Sequence, residues 1–109
     1  MALTNGLYKV TFQTQIGAGY GVVTLEDGTL QGGDSTMYYV GTYQQNGDAF
    51  TAEVMTKTHT NVAGGGSVFG VPEALIHLNG TSTDKTATVK GSSPQAPGVG
   101  FSAKLERLQ

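Results

Sequence analysis

The side chains best suited to chemistry in this sequence are aromatic. All five tyrosines lie among the first 43 residues. A tyrosine that points into a small β-structure offers a ring for packing and a hydroxyl that can hydrogen-bond a ligand. Strand-like alternation places Tyr8, Phe12, Tyr39 and Tyr43 on inward faces. We therefore predict that these four residues line a ligand cavity, and the alternative is core packing with hydroxyls at the rim.

A carboxylate follows two glycines in the segment Gly32-Gly33-Asp34. An aspartate in such a position can accept hydrogen bonds from nearby main-chain N–H groups and initiate a turn. It could also act as a general base, but no partner for that chemistry is evident in the sequence. We therefore predict a structural turn formed by Gly32, Gly33 and Asp34.

The remaining candidates for catalysis or metal binding are weak. There are no cysteines, and His59 and His77 are the only histidines, whereas zinc sites need three or four ligands. Both histidines are predicted to be solvated surface residues. Glycines at 17, 19 and 21 superficially resemble a nucleotide-binding loop, but a strand-like sequence follows them where that mechanism needs a helix. We interpret them as a turn and expect no catalytic residue, metal or cofactor, so the protein is predicted not to be an enzyme.

Charge and hydropathy exclude further classes. Six basic and eight acidic residues give a net charge of -2, the basic residues are scattered, and only one is arginine. Phosphate recognition depends on clustered Arg and Lys, so direct nucleic-acid binding and anionic membrane binding are not expected. The first residues lack a signal-peptide pattern, and no apolar stretch approaches the ~20 residues of a spanning helix. A cytoplasmic protein is the expectation.

Short alternating segments separated by turn residues predict the elements that must position these side chains. The Asp27-Gly28 and Asn46-Gly47 pairs are strong hairpin signals, because type I′ turns need positive φ at both central residues. A flexible loop over 61–66 and a brief strand over 67–70 are also expected. The main predicted strands cover 7–13, 20–26, 29–31, 37–45, 49–58, 75–82, 86–91 and 99–106.

About eight strands with short connections predict an all-β, up-and-down antiparallel barrel that occupies residues 1–109 as a single domain. Closure would remove the sheet edges and bury the apolar face. Glycines within strands, such as Gly21, Gly41, Gly80 and Gly91, suit sharp coiling or close backbone approach. A two-sheet sandwich is the alternative.

The order of several motifs resembles a known bacterial family. The motifs are, in chain order, Asn5-Gly6-Leu7-Tyr8, Gly21-Val22-Val23, Asp27-Gly28-Thr29-Leu30-Gln31-Gly32-Gly33-Asp34-Ser35 and Tyr39-Val40-Gly41-Thr42-Tyr43. In these motifs the sequence resembles the GrlR family, small negative regulators of type III secretion genes in enteric pathogens. The resemblance covers almost the whole chain.

The resemblance implies a lipocalin-like barrel that forms a homodimer and sequesters a transcriptional activator protein without binding DNA itself. In that family an acidic hairpin is implicated in partner contact. The matching partner-binding hairpin here is Gln44, Gln45, Asn46, Gly47 and Asp48, of which only Asp48 is acidic. The alternative function is a carrier or sensor of a small apolar ligand inside the barrel. The sequence leaves open the partner, the ligand, the dimer surface and whether the interior is hollow.

Overall fold

The computed structural model describes residues 3–61 and 72–109, and within them the secondary structure consists of strands and their connections. The predicted strand over 67–70 and all but the first residue of the predicted loop over 61–66 lie outside the described residues. The eight strands are β1 (Gly6–Gln13), β2 (Ala18–Glu26), β3 (Thr29–Gly33), β4 (Met37–Asn46), β5 (Ala49–Thr58), β6 (Glu73–Ser82), β7 (Thr86–Ser92) and β8 (Phe101–Arg107).

The sheet closes on itself. Each strand pairs in antiparallel fashion with the next, and β1 also pairs with β8, where Val10 lies opposite Leu105. The prediction of an eight-stranded up-and-down barrel is confirmed. The alternative sandwich is wrong, because two separate sheets would leave unpaired edges whereas β1 and β8 are hydrogen-bonded to each other.

Alternation along the strands explains which residues form the core. In β1, Tyr8 and Val10 are buried and Lys9 between them is exposed. The same period of two runs through β5, where Phe50, Ala52, Val54 and Thr56 are buried. A closed barrel gives every strand one interior and one exterior face, so one alternating pattern serves all eight.

Two hairpin turns form at or next to the residue pairs that the sequence predicts for them. Asp27 and Gly28 have φ of 49° and 88°, which confirms the predicted requirement for positive φ at both central positions. At the next predicted hairpin the turn lies one residue later than expected. Asn46 still pairs with Ala49, so the turn consists of Gly47, with φ of 63°, and Asp48.

Four inward glycines mark places where neighbouring strands come too close for any side chain. A Cβ on Gly32, Gly41, Gly80 or Gly91 would overlap a main-chain oxygen of the adjacent strand. This confirms the expected close approach at Gly41, Gly80 and Gly91. The assignment of Gly32 and Gly33 to a turn is wrong, because both pair with β2 and β4 and belong to β3; only Asp34 lies in the turn.

The two ends of the barrel differ. The connections after β2, β4 and β6 are short and share one end, the hairpin end, with both termini. There Leu3 is buried and the Tyr8 hydroxyl donates to the Thr4 carbonyl oxygen at 2.6 Å, so the N-terminal segment covers this end. The segments that follow β1, β3, β5 and β7 lie at the opposite end, the loop end. Within the described residues there is no helix long and apolar enough to cross a membrane.

Candidate functional site

A cavity of about 80 Å³ lies inside the barrel. Most of its lining is buried, and the partly exposed members, Phe12, Asp34 and Phe101, all belong to the loop end. The cavity therefore reaches solvent at the loop end. Its apolar lining consists of Val10, Phe12, Val23, Leu30, Met37, Phe50, Val54, Ile76, Leu78, Phe101, Ala103 and Leu105.

Three aromatic rings border the mouth of this cavity. Phe12 stacks on Phe101 with ring centroids 6.2 Å apart, and it meets Tyr39 edge-on at 6.3 Å with an interplanar angle of 89°. Phe12 belongs to β1 and Tyr39 to β4, which are not neighbouring strands, so this contact crosses the barrel interior. Such geometries are favourable for aromatic pairs and hold the rings in place.

Asp34 fixes the turn between β3 and β4 at the same mouth. Its Oδ1 accepts hydrogen bonds from the main-chain N–H groups of Thr36 at 2.9 Å and Met37 at 2.8 Å. The Asp34 N–H in turn donates to the Met37 carbonyl oxygen at 2.9 Å. These bonds are those of an aspartate that organises a turn through its own side chain.

Tyr39 connects this turn to the cavity wall. Its hydroxyl donates to Oδ2 of Asp34. Burial raises the pKa of the Tyr39 hydroxyl well above its ordinary value, and the hydrogen bond to Asp34 and that residue's negative charge raise it further. Tyr39 therefore stays protonated and acts as a donor to the carboxylate.

Thr56 is the third polar side chain in the lining. It is buried on β5, and its hydroxyl donates to the Ala74 carbonyl oxygen at 3.2 Å. Sequence reasoning did not single out Thr56 or Phe101 as site residues, although the inward alternation of β5 and β8 contained both. A polar residue on an otherwise apolar inward face was the signal that could have found Thr56.

The four predicted cavity residues do not all meet. Phe12 and Tyr39 line the cavity, whereas Tyr8 and Tyr43 do not. Tyr8 fills the barrel at the hairpin end, where its hydroxyl is bound to Thr4. Tyr43 is half-buried and stacks on Phe50, a lining residue, with ring centroids 5.6 Å apart. Placing Tyr8 and Tyr43 in the cavity wall was wrong, because inward alternation does not specify depth along the barrel.

The hairpin predicted to contact a partner, Gln44 to Asp48, projects from the hairpin end and is far along β4 from the cavity mouth. Its Gln45 side chain is held internally, since its Nε2 donates to Ser82 Oγ at 3.1 Å and to the Ala49 carbonyl oxygen at 3.2 Å. Gln44, Asn46, Gly47 and Asp48 are exposed. Their role in partner binding stays a prediction.

The histidines lie outside the cavity lining. His77 pairs with Glu53 on the exposed outer face, with Nδ1 and Oε1 3.2 Å apart. His59 Nε2 is 3.0 Å from the Asp34 carbonyl oxygen, and a carbonyl only accepts, so Nε2 carries the proton. His59 thus contacts the main chain of Asp34 and not its carboxylate. Among residues 3–61 and 72–109, no three His, Asp or Glu side chains are grouped to hold a metal ion.

No family model matches the sequence, and no curated protein is significantly similar to it.

Proposed function

We propose that this barrel binds a small apolar molecule in the cavity at its loop end. The observation that carries the proposal is an apolar cavity that opens beside a fixed carboxylate–tyrosine pair. Ligand sites in proteins are concave, mainly apolar and furnished with a few oriented polar groups. Nothing in this function needs a catalytic residue, a metal or a cofactor.

The size of the cavity limits the ligand. One water requires about 10–15 Å³ of such space, so about 80 Å³ accommodates roughly five to eight groups of that size. The lining offers little to hold several waters, and an apolar ligand of this size would gain free energy by leaving solvent. A larger ligand would have to project through the mouth between Phe12 and Asp34.

Titration of ¹⁵N-labelled protein with toluene, followed by NMR, tests this function. We expect saturable shifts at amides of the lining strands, such as those of Val23 and Ile76. Ala103 lines the cavity, so Ala103→Leu should fill it and abolish these shifts. Its exposed neighbour serves as the matched control, and Lys104→Leu should bind as the unchanged protein does. Absence of saturable shifts, or their persistence in Ala103→Leu, would refute the proposal.

Protein binding is a second candidate, favoured by the outer surface as well as by the resemblance to GrlR. Five apolar residues lie side by side on the outside of β2, β4, β5 and β6. They are here called the outer band and are Val22, Tyr38, Val40, Met55 and Leu75. Val40 is paired with Met55, Met55 with Leu75, and Tyr38 and Val22 flank Gly33. Val22, Tyr38 and Val40 are 44%, 39% and 42% exposed. A contiguous apolar surface of this kind suits contact with another protein.

In this second function the protein is a cytoplasmic homodimer that sequesters a transcriptional activator and does not bind DNA or membranes itself. Capture of partners from the native host, with the outer-band variant Val40→Glu as the matched control, tests it. We expect the unchanged protein, and not the variant, to retain one DNA-binding regulator, and to reduce transcription from that regulator's promoter in vitro. Unaltered transcription in the presence of excess barrel protein would contradict sequestration.

A further inference from the structure

The polar side chains of the lining, as far as the structure describes it, donate their hydrogen bonds to other groups of the protein. The Tyr39 hydroxyl donates to Asp34, and the Thr56 hydroxyl donates to the Ala74 carbonyl oxygen. The Asp34 carboxylate has no proton to donate. Within residues 3–61 and 72–109, the polar side chains of the lining therefore present acceptor lone pairs and no free donor to a ligand.

The acceptors on Asp34 are unequally used. Oδ1 accepts from Thr36 N, Thr36 Oγ1 and Met37 N, at 2.9, 3.3 and 2.8 Å. Among the described residues, Oδ2 accepts from Tyr39 alone. Each carboxylate oxygen carries two lone pairs, so the single hydrogen bond to Oδ2 leaves a lone pair for one more donor beside the cavity.

Asp34 also brings a charge that the described part of the protein does not balance. In that part Lys9 pairs with Glu106 and His77 lies against Glu53, both on the outer face, and neither contact contains Asp34. His59 approaches the Asp34 main-chain carbonyl and not its carboxylate. Asp34 is the single charged residue among the described residues of the cavity lining, and it is half-buried. The mouth of the cavity therefore favours a cation.

We propose that the ligand is a small apolar molecule ending in a protonated amine, whose ammonium group donates to Asp34 Oδ2 while its apolar part fills the cavity. This inference rests on the ligand-binding function proposed above and adds the chemical class of the ligand. An alkyl- or arylalkylammonium ion meets both requirements, a donor and a positive charge. A ligand ending in a carboxylate would instead meet acceptors and a like charge, which disfavours it. The rings of Phe12 and Tyr39 beside the mouth can add cation–π attraction.

Four probes of similar shape separate the contributions: toluene, benzyl alcohol, benzylamine and benzoate, titrated by NMR near neutral pH. Toluene reports cavity binding alone. We expect benzylamine, which is protonated at this pH, to bind about tenfold more tightly than benzyl alcohol, because a charge-assisted hydrogen bond is stronger than a neutral one. Benzoate should bind more weakly than toluene. Saturable binding of toluene with no preference for benzylamine would overturn the inference and leave the proposed function standing. Absence of binding by all four would overturn both.

Two variants assign the preference to Asp34. Asp34→Asn keeps an Oδ1 that can accept from Thr36 and Met37 but removes the charge. It should reduce the affinity for benzylamine about tenfold relative to the affinity for toluene measured on the same variant. Tyr39→Phe keeps the carboxylate, and it should keep the preference for benzylamine over benzyl alcohol. An unchanged preference in Asp34→Asn would refute the role of the carboxylate. The four-probe comparison on the unchanged protein decides the inference even where a variant does not fold.

Discussion

The hydroxyl of Tyr39 donates a hydrogen bond to Oδ2 of Asp34, the residue that begins the turn between β3 and β4. The other carboxylate oxygen holds the main-chain N–H groups of Thr36 and Met37. One carboxylate thus closes the turn and fixes the tyrosine at the cavity mouth. The stability of the turn and the shape of the mouth are therefore expected to change together.

Removing the Tyr39 hydroxyl should destabilise the protein measurably. Tyr39→Phe keeps the buried ring and deletes a hydrogen bond to a charged acceptor, so we expect a loss of about 1–2 kcal/mol in the free energy of unfolding. The neighbouring Tyr38 points outward and is 39% exposed, which makes Tyr38→Phe the matched control, with a change within about 0.5 kcal/mol. Urea unfolding measures both. Equal losses in the two variants would contradict the assigned role of the bond.

The same hydroxyl should make stability fall in alkaline solution. In the unfolded chain Tyr39 ionises near its ordinary pKa of 10.0, whereas in the folded protein its pKa is raised by burial and by Asp34. The stabilisation is fully present below pH 10. Above it the unfolded chain releases a proton that the folded protein retains, so the free energy of unfolding falls by about 1.4 kcal/mol per pH unit.

The difference between the unchanged protein and Tyr39→Phe isolates this effect, because the other four tyrosines are common to both. Urea unfolding from pH 8 to pH 11 should show the two curves parallel at first, with the unchanged protein losing stability more steeply above pH 10. Curves that stay parallel throughout would show that Tyr39 ionises as readily in the folded protein as in the unfolded chain.

Local sequence patterns were sufficient for much of the fold. The predicted strand over 49–58 matches β5, and Asp27-Gly28 forms the hairpin turn expected of it. Both depend on properties of neighbouring residues, namely side-chain alternation and the tolerance of positive φ. With eight such strands, closing the sheet into a barrel is the arrangement that leaves no strand edge unpaired.

The candidate site was less predictable because it depends on depth within the barrel. Tyr8 and Tyr39 both alternate inward, yet Tyr8 lies at the hairpin end under Thr4 and Tyr39 lies at the cavity mouth. Which end is covered is decided by the path of the segment before β1, which no periodicity encodes. The hydrogen bond between Asp34 and Tyr39 was not predictable for a similar reason. It depends on a turn geometry that places the Tyr39 side chain, on β4, next to Asp34 at the start of the turn before that strand.

The Tyr39 side chain occupies the space that a side chain at position 21 would need, so replacing Gly21 by a larger residue should disturb the site. A Cβ at position 21 would lie 2.8 Å from the Tyr39 hydroxyl oxygen and 3.0 Å from the Gly33 carbonyl oxygen. We expect Gly21→Ala to cost about 1–3 kcal/mol of unfolding free energy, because the ring must move. At Gly17 a Cβ would meet nothing within 4 Å, so Gly17→Ala should be neutral or slightly stabilising.

Thermal or urea unfolding distinguishes the two glycine variants, and a double variant tests the mechanism. If Gly21→Ala acts by displacing the Tyr39 hydroxyl, its cost should shrink in the Tyr39→Phe background, since the closest atom is already gone. An equal cost in both backgrounds would instead assign the effect to the contacts that Tyr39→Phe keeps, with the Gly33 carbonyl oxygen and the ring at position 39.

The outer band offers the sharpest test of self-association. If a second copy covers it, a charge at its centre should disrupt the dimer, because an unpaired buried charge is costly at an interface. We expect Val40→Glu to be monomeric by sedimentation at micromolar concentrations at which the unchanged protein is a dimer. Thr42→Glu, the next outward position on β4, is the matched control and should leave the dimer intact. A dimer that survives Val40→Glu must use another face, and a monomer before any substitution would leave the outer band free for a different protein.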